Sequence, residues 1–161
     1  MNLFNFLEAR PCCLKSLYEN TRKNNNHHAK KIGALDQRHA RGSVAGCVYY
    51  RGDLCISKLS LKYPEIDDLL LKFMNHHNPN FTFSSVYITK NCQSRPHCDG
   101  NPGNSIIISV GNYTGGGLVI EQEPNVHHIF NIKDVSLEFD GSKYRHWTQD
   151  FTGTRYTFIF Y

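Results

Sequence analysis

The sequence of 161 residues has no uninterrupted apolar run that approaches the ~18 residues of a membrane-spanning helix. Its N-terminus, MNLFNFLEARPCC, lacks a basic lead followed by a long apolar region, so we expect no signal peptide and an intracellular protein of the nucleus or cytoplasm. The six cysteines form neither a CxxC pair nor a zinc-ribbon spacing. Without an export signal, this cysteine pattern favours reduced thiols over disulfides.

Charge is unevenly distributed along a chain whose composition is that of a globular protein. Residues 1–62 hold 11 Lys and Arg against 4 Asp and Glu, whereas residues 63–161 hold 7 against 10. A basic half beside a mildly acidic half fits a polyanionic partner such as nucleic acid, and an ordinary solvated face is the alternative. The length predicts a single domain over residues 1–161.

The first part of the chain predicts short elements joined by polar segments. We expect residues 1–31 to hold a short helix after Pro11 and then a polar, basic linker that includes three consecutive asparagines. Residues 43–61 alternate enough to predict a hairpin that turns at Gly52 and Asp53.

The second part changes from a helix to a series of strands. Residues 63–79 predict the longest helix, because apolar residues recur at helical spacing after Pro64. From residue 80 onward, short runs rich in Val, Ile, Phe and Tyr alternate with Gly, Asn and Pro. Such spacing predicts a sandwich, jelly roll or small barrel over residues 80–161.

The stretch SRPHCDGN places a histidine and an aspartate two positions apart, at His97 and Asp99. On a strand, residues i and i+2 point to the same side, so the imidazole and the carboxylate would share one space. One further histidine would complete a two-histidine, one-carboxylate set, which holds Fe(II) on one face and leaves the other positions open. The downstream candidates for this third ligand are His127, His128 and His146.

Among these candidates, His146 has the informative context. The segment FDGSKYRHWTQDFTGTRYTFIFY places Arg155 nine residues after it, and a turn at residues 152–153 would bring this arginine onto the neighbouring strand. An arginine there could grip a carboxylate with two hydrogen bonds, and Thr157 would add a hydroxyl on the same face. Such a pair fits the distal carboxylate of 2-oxoglutarate. The other two histidines have no partner arginine nearby and are interpreted as surface or packing residues.

The order of these motifs resembles the Fe(II)/2-oxoglutarate-dependent dioxygenases, and among them the TET/JBP branch of nucleic-acid base oxygenases. The resemblance lies in PHCDGNPGNSIIISVGNYTGGGLVIE and FDGSKYRHWTQDFTGTRYTFIFY, which with the approach strand FTFSSVYITKN cover roughly the C-terminal half. It implies an α+β, mainly β fold: a double-stranded β-helix (jelly-roll, cupin-like) core with supporting helices. The chain is short, and it lacks the cysteine-rich extension and the separate DNA-binding domain of better-known members.

The resemblance also implies roles for individual residues. Iron would be bound by three side chains: His97, Asp99 and His146. The cosubstrate 2-oxoglutarate would be bound by Arg155, Thr157 and Tyr87. The substrate would be contacted by Asn101 and, at its phosphates, by basic residues of the N-terminal half: Arg38, Arg41 and Arg51.

Three aromatic residues have two interpretations each. Tyr87, Tyr113 and Trp147 could contact cosubstrate or substrate, and each is equally plausible as a core residue. The glycines at 115–117 are not followed by a helix, so they predict a tight turn beside the site and not a phosphate loop.

The implied activity is that of an Fe(II)- and 2-oxoglutarate-dependent dioxygenase that consumes O2, with ascorbate as an optional reductant. It would hydroxylate the methyl group of 5-methylcytosine or thymine and release succinate and CO2. A base in a duplex would first be flipped out of the stack. We expect DNA rather than RNA as the substrate, no membrane partner, and a monomer as the default state.

Two alternative functions are kept beside this one. A prolyl-type protein hydroxylase would use the same metal ligands and would act on peptides. A non-catalytic jelly-roll module would bind nucleic acid or metal without turnover. Such a module needs no cosubstrate-binding site, so the presence of Arg155 argues against it.

Overall fold

The computed structural model describes residues 2–10, 13–16 and 41–161. The predicted basic linker at 21–31 lies outside these residues. Three helices are present in the described chain: α1 (Leu3–Ala9), α2 (Lys58–Lys62) and α3 (Glu65–His77). No helix among the described residues combines the length and the apolar character that crossing a membrane requires.

The first helix precedes Pro11, whereas the sequence reading placed a helix after it. The Asn2 side chain accepts a hydrogen bond from the Asn5 backbone nitrogen at 2.8 Å and thereby caps the helix. Leu3, Phe6 and Leu7 form its buried face at helical spacing. Of the segment after Pro11, where a helix was predicted, the structure describes only residues 13–16, which include the two-residue strand β1 (Lys15–Ser16). The rest of that segment lies outside the described residues.

The α3 helix confirms the prediction made for residues 63–79. Pro64 is its N-cap, and its first turn holds three acidic residues, which favour the positive end of the helix dipole. Ile66, Leu70 and Met74 recur every four residues and are fully buried.

Twelve strands are present among the described residues: β1 (Lys15–Ser16), β2 (Arg41–Tyr50), β3 (Asp53–Ile56), β4 (Ser85–Lys90), β5 (Ser105–Val110), β6 (Tyr113–Gly115), β7 (Leu118–Glu123), β8 (Val126–Phe130), β9 (Leu137–Phe139), β10 (Arg145–Thr148), β11 (Phe151–Gly153) and β12 (Tyr156–Phe160). A seven-stranded sheet has the order β1-β2-β4-β12-β5-β9, with β3 paired to β2. A three-stranded sheet has the order β10-β7-β8, and β6 pairs with β11. All pairings between named strands are antiparallel.

The predicted hairpin is formed by β2 and β3, and its turn lies one residue earlier than expected, at Arg51-Gly52. Both turn residues have positive φ, at 56° and 96°, as a two-residue type I′ turn requires. The strand β2 also pairs with β4, so it belongs to the large sheet as well as to the hairpin.

The large sheet has a different environment on each face. Alternate residues of β4, β5 and β12, such as Ile88, Ile108 and Phe158, pack with α1 and α3 in one apolar core. The residues between them, such as Ile107 and Ile159, pack with Leu118 and Ile120 of the small sheet. The two sheets thus pack face to face, as in a double-stranded β-helix. The candidate site lies between them.

Candidate active site

Two histidines that lie 49 positions apart in the chain are joined by their backbones. The His97 nitrogen donates to the His146 carbonyl at 3.0 Å, and the His146 nitrogen donates back at 2.9 Å. His146 lies on β10, as expected for a strand residue. His97 lies in the loop between β4 and β5, outside the strands, so the strand expected at residues 97–99 is reduced to this isolated bridge.

A second backbone bond brings the aspartate to the same place. The Asp99 nitrogen donates to the Gly141 carbonyl at 2.8 Å, which ties the loop to the segment that precedes β10. A methyl group at Gly141 would collide with Asp99 Oδ2, so a side chain at this position would displace the carboxylate. The three predicted metal ligands therefore come together through long-range backbone bonds rather than through the alternation of one strand.

The ring nitrogens of both histidines are oriented for metal binding. His97 Nδ1 lies 2.6 Å from the Arg95 carbonyl, and His146 Nδ1 lies 2.9 Å from the Tyr144 carbonyl. A carbonyl oxygen only accepts, so each Nδ1 carries a proton, and in the neutral form of each ring Nε2 presents a lone pair. The two Nε2 atoms face Asp99, at 3.5 Å from its Oδ1 and 3.7 Å from its Oδ2.

Burial and hydrogen bonding act on the two histidines in opposite directions. Burial lowers the pKa of His97, but its bonds to Asp99 and to the Arg95 carbonyl outweigh this and raise the pKa overall. Burial lowers the pKa of His146, and the nearby His97 lowers it further. His146 is therefore favoured in the neutral form that a metal requires.

These three side chains form the group among the described residues that could hold a metal ion. Their ligand atoms all lie within 4.8 Å of one another. Two neutral imidazoles and one carboxylate, with the second nitrogen of each ring bonded to a backbone carbonyl, fit Fe(II) with open coordination positions.

Arg155 lies in the same cavity and is 2% exposed. Among the described residues, no hydrogen-bond partner is present for its Nε and Nη2 atoms. Burial lowers the pKa of this guanidinium, while Tyr113 raises it, and arginine remains charged in either case. A buried guanidinium with two unpaired nitrogens is costly, so the site fits an anionic ligand.

The surroundings of Arg155 hold it in one position. Its guanidinium carbon lies 5.7 Å from the Tyr113 ring centroid and 5.5 Å from that of Phe151. A methyl group at Gly116 would lie 3.1 Å from its Nε, so the arginine packs directly on this glycine. The Arg155 nitrogen donates to Asn91 Oδ1 at 3.0 Å, and the Asn91 nitrogen donates to the Arg155 carbonyl at 2.8 Å.

The other predicted cosubstrate residues line the same cavity of about 150 Å³. The Thr157 hydroxyl is buried, and among the described residues it lacks a hydrogen-bond partner. Tyr87 faces the cavity from β4, and burial is the main reason that its pKa is raised. Cys92 is a further lining residue, and burial raises its pKa to about 11, so it is a thiol and not a thiolate.

The positions of His146 and Arg155 differ from the expected arrangement. They are not on neighbouring strands, because β10 belongs to the small sheet and β12 to the large one. The turn predicted at residues 152–153 falls within β11, which pairs with β6 and lies between them in the chain. The two side chains reach one cavity from opposite sheets.

The predicted substrate residues are distributed unevenly. Asn101 lines the cavity, and its Nδ2 donates to Ser105 Oγ at 3.2 Å. Arg41 is not among the described residues that line the cavity, and its Nη1 donates to the Leu14 carbonyl at 3.5 Å. Arg38 lies outside the described residues. Arg51 lies at the exposed tip of the hairpin.

The remaining candidates lie outside the metal group. His127 and His128 lie on the exposed strand β8, and the ring of His127 contacts Trp147. Tyr113 is a core residue whose hydroxyl bonds to Ser109 Oγ at 2.5 Å, although it also supports Arg155. The turn at Gly115 and Gly116 lies beside the site, as predicted.

Several residues that line the cavity were not predicted from the sequence, among them Ile159 and Tyr161. Both lie on the same side as Thr157. The alternation of side chains along a strand could have identified them, since 155, 157, 159 and 161 share one side.

No family model and no curated protein matches the chain at significance. Solved structures do match in fold. An oxidoreductase of the 2OG-Fe(II) oxygenase family from Burkholderia pseudomallei matches with a TM-score of 0.55 and 13% identity, over 75% of this chain and 66% of that one. A Pseudomonas putida prolyl-4-hydroxylase matches with a TM-score of 0.54 and 12% identity, over 99% of this chain and 83% of that one.

A third similar structure is NgTET1 in complex with 5mC DNA, with a TM-score of 0.56 and 15% identity. The match covers 99% of this chain and 66% of that one, so the chain spans just under two thirds of its length. These similarities establish the fold: the chain has the double-stranded β-helix of the 2OG-Fe(II) oxygenases, as predicted. Within that fold it carries a His–Asp–His group able to hold iron.

Proposed function

We propose that this chain is an Fe(II)- and 2-oxoglutarate-dependent dioxygenase that oxidises a methyl group on a nucleic-acid base. One observation carries the cosubstrate part of the proposal. The cavity that holds the His–Asp–His group also holds two guanidinium nitrogens of Arg155 and the hydroxyl of Thr157, all buried and without hydrogen-bond partners among the described residues. A dicarboxylate that reaches from the metal to Arg155 would satisfy both ends of this cavity.

The cavity residues would divide into iron ligands and cosubstrate ligands. His97, Asp99 and His146 would hold iron, and Arg155 would bind the distal carboxylate of 2-oxoglutarate through its unpaired nitrogens. Thr157 would donate its hydroxyl to the same carboxylate. Bound there, iron would supply the oxidation of a substrate C–H bond coupled to conversion of 2-oxoglutarate and O2 into succinate and CO2.

The apolar wall of the cavity protects this chemistry. Ile107, Leu118, Phe139 and Ile159 line the space between the metal ligands and Arg155. They exclude water, which strengthens the ionic contacts of Arg155 with a bound carboxylate. They also limit reaction of the activated centre with solvent.

Three observations support a nucleic-acid base as the substrate. The N-terminal 62 residues carry a net positive charge, which suits phosphates. The motifs around the metal ligands resemble those of the TET/JBP branch, and the chain is similar in fold to NgTET1, whose structure contains 5mC DNA. Asn101 lines the cavity next to the metal ligands and offers an amide for hydrogen bonding to a base edge.

A prolyl-type hydroxylase is the second candidate, because the chain is similar in fold to a prolyl-4-hydroxylase over 99% of its length. Such an enzyme would use the same metal and cosubstrate residues. The two candidates differ only in the surface around the cavity mouth and in the substrate turned over.

The test incubates purified protein with Fe(II), 2-oxoglutarate, ascorbate and a mixture of DNA and RNA that contains 5-methylcytosine and thymine. Nucleoside mass spectrometry after digestion should detect a hydroxylated base, and succinate should form in equal amount. Proline-containing peptides are tested in parallel reactions.

Two variants serve as controls. Asp99→Ala removes a proposed iron ligand and should abolish both products. His128→Ala changes an exposed histidine of β8 and should leave both unchanged. Hydroxyproline without a modified base would move the assignment to the second candidate. Iron binding without succinate from any substrate would favour the non-catalytic module.

A further inference from the structure

A groove beside the cavity has a strongly one-sided charge. It is lined by Lys15 of β1 and by Lys58 and Lys62 of α2, and no Asp or Glu is present among its described lining residues. Its volume is about 570 Å³, which is larger than that of the metal cavity. Three cations around one concave surface make the local electrostatic potential more positive, which favours an anionic ligand.

These lysines are available for a ligand. All three are exposed, and within the described part of the chain none of them forms an ion pair. Lysines elsewhere in the molecule are committed: Lys90 pairs with Glu8 at 2.8 Å, and Lys143 pairs with Asp140 at 3.0 Å. The groove therefore concentrates cations that no carboxylate of the described residues neutralises.

The groove and the metal cavity share one described lining residue. Tyr87 of β4 lines both spaces. The groove also reaches Val48 at the base of the β2–β3 hairpin. A ligand seated on the lysines would thus lie against the wall of the reaction cavity.

The hairpin extends this surface with an aromatic residue. Tyr50 is on the same face of β2 as Val48 and is 58% exposed. The Arg51 guanidinium carbon lies 5.2 Å from the Tyr50 ring centroid. The hairpin carries one acidic residue, Asp53, which lies opposite Tyr50 in the backbone register at the tip. A basic groove followed by an exposed aromatic ring is the combination that binds single-stranded nucleic acid.

We propose that the groove formed by Lys15, Lys58 and Lys62 binds the phosphate backbone of the nucleic-acid strand whose target base enters the metal cavity, and that Tyr50 stacks on a flanking base. The proposal rests on the proposed function and adds where the substrate strand lies. Arg41, which the sequence reading assigned to the substrate, instead has its guanidinium bonded to the backbone of residue 14.

The test measures binding of a fluorescein-labelled single-stranded oligonucleotide of 12 nucleotides by anisotropy at several NaCl concentrations. For a single strand, each phosphate contact contributes about 0.7 to the slope of log K against log salt, which is about a fivefold factor at 0.1 M relative to 1 M. Lys62→Gln should weaken binding about fivefold at 0.1 M NaCl. The triple Lys→Gln variant should lower the slope by about 2.

Matched controls separate the groove from overall charge. Lys72→Gln on α3 and Lys143→Gln each remove one positive charge away from the groove and should change affinity less than twofold. Tyr50→Ala should weaken oligonucleotide binding but not binding of heparin, a polyanion without bases. Circular dichroism confirms that each variant is folded.

The outcomes distinguish this proposal from the proposed function. Unchanged affinity and slope in the triple variant, with base oxidation intact, would overturn the groove and leave the activity standing. Equal losses for oligonucleotide and heparin in all lysine variants, with none in Tyr50→Ala, would overturn the aromatic contact. Binding of peptide substrates but not of oligonucleotides would overturn the groove proposal and the nucleic-acid substrate together. Binding itself should persist in Asp99→Ala, because that residue belongs to the chemistry.

Discussion

At the scale of single residues, the site depends on two glycines that face charged side chains. Gly141 lies against the Asp99 carboxylate, and Gly116 lies against the Arg155 guanidinium. Each lets a charged group sit directly on the backbone, where a side chain would displace it. Neither glycine offers a functional group, so its role follows only from what it touches.

We expect Gly116→Ala to raise the KM for 2-oxoglutarate about tenfold, equivalent to about 1.4 kcal/mol of binding. The added methyl group would meet both Arg155 Nε and Phe151 Cβ at 3.1 Å and shift the guanidinium. Iron affinity should not change, since the metal ligands lie at the other end of the cavity. Succinate formation at varied cosubstrate concentration gives the KM.

Gly103→Ala is the control for backbone strain. Gly103 also has positive φ, at 96°, but a methyl group there would meet nothing within 4 Å. It should show the same strain and an unchanged KM. An equal rise in KM in both variants would contradict packing of Gly116 on the arginine.

At the scale of elements, the two faces of β12 have different roles. One face contributes to the stability of the core, and the other lines the proposed cosubstrate site. Tyr156, Phe158 and Phe160 face the helices and are fully buried in that core. Thr157 and Ile159 face the cavity. Neighbouring residues of one strand therefore have unrelated tasks, because their side chains alternate across the sheet.

The two faces should respond differently to substitution. Phe158→Ala should lower the free energy of unfolding by about 3–5 kcal/mol through loss of core packing, without a specific effect on the KM for 2-oxoglutarate. Thr157→Val keeps the shape of the side chain but removes the hydroxyl, so the KM should rise. Urea denaturation and steady-state kinetics measure the two effects. An unchanged KM in Thr157→Val would mean that the Thr157 hydroxyl does not bind the carboxylate of 2-oxoglutarate.

The α1 helix is connected to the large sheet by a polar contact as well as by its apolar face. The Glu8 carboxylate accepts hydrogen bonds from Lys90 Nζ at 2.8 Å and from the Tyr156 hydroxyl. The bond from Lys90 is the main cause that holds the pKa of Glu8 below its ordinary value of 4.5. The ionised form is thus the one that stabilises the folded state.

This contact predicts a dependence of stability on pH. A lowered folded pKa means that the contribution is fully present above about pH 4.5 and is lost as the pH falls through the folded pKa. The Glu8 side chain is 43% exposed, so solvent limits the contribution to about 1 kcal/mol. Thermal melts from pH 3 to 7 should show that the difference between wild type and Glu8→Gln disappears at the acidic end. Glu123→Gln, at the exposed end of β7, should show no such convergence.

At the scale of the whole molecule, the proposed metal and cosubstrate would both bind between the two sheets. The His–Asp–His group connects the small sheet with the loop after β4, and Arg155 lies on the large sheet. A metal and a cosubstrate bound together would therefore link both sheets through one cavity. Binding at such a position stabilises the folded state as a whole.

We expect Mn²⁺, used as a stand-in for Fe²⁺ in air, to raise the melting temperature, and 2-oxoglutarate to raise it further. At a ligand concentration 100 times the Kd, the gain is about 2.7 kcal/mol, which for a domain of this size corresponds to roughly 5–10 °C. Differential scanning fluorimetry measures the shift, and EDTA should reverse it. A shift of equal size in His97→Ala would mean that the metal binds elsewhere.

Much of the fold followed from local patterns. The α3 helix, the β2–β3 hairpin and the strands β4, β5, β7, β8, β9 and β12 were predicted from periodicity and turn residues. The strands β6 and β11 were not predicted, because each has three residues and ends at a glycine that predicted a turn. The helix before Pro11 was missed because its seven residues carry a weak signal, although Asn2 is an N-cap residue.

The sequence by itself determined the chemistry available: which residues can bind a metal, which arginine can bind a carboxylate, and which strand positions share a face. These are properties of residue type and of short-range spacing. Only the tertiary structure decided that His97 and His146 bond through their backbones, that Arg155 faces them from the opposite sheet, and that three lysines border one groove. Such juxtapositions depend on strand pairing and sheet packing between residues far apart in the chain, and no local pattern records them.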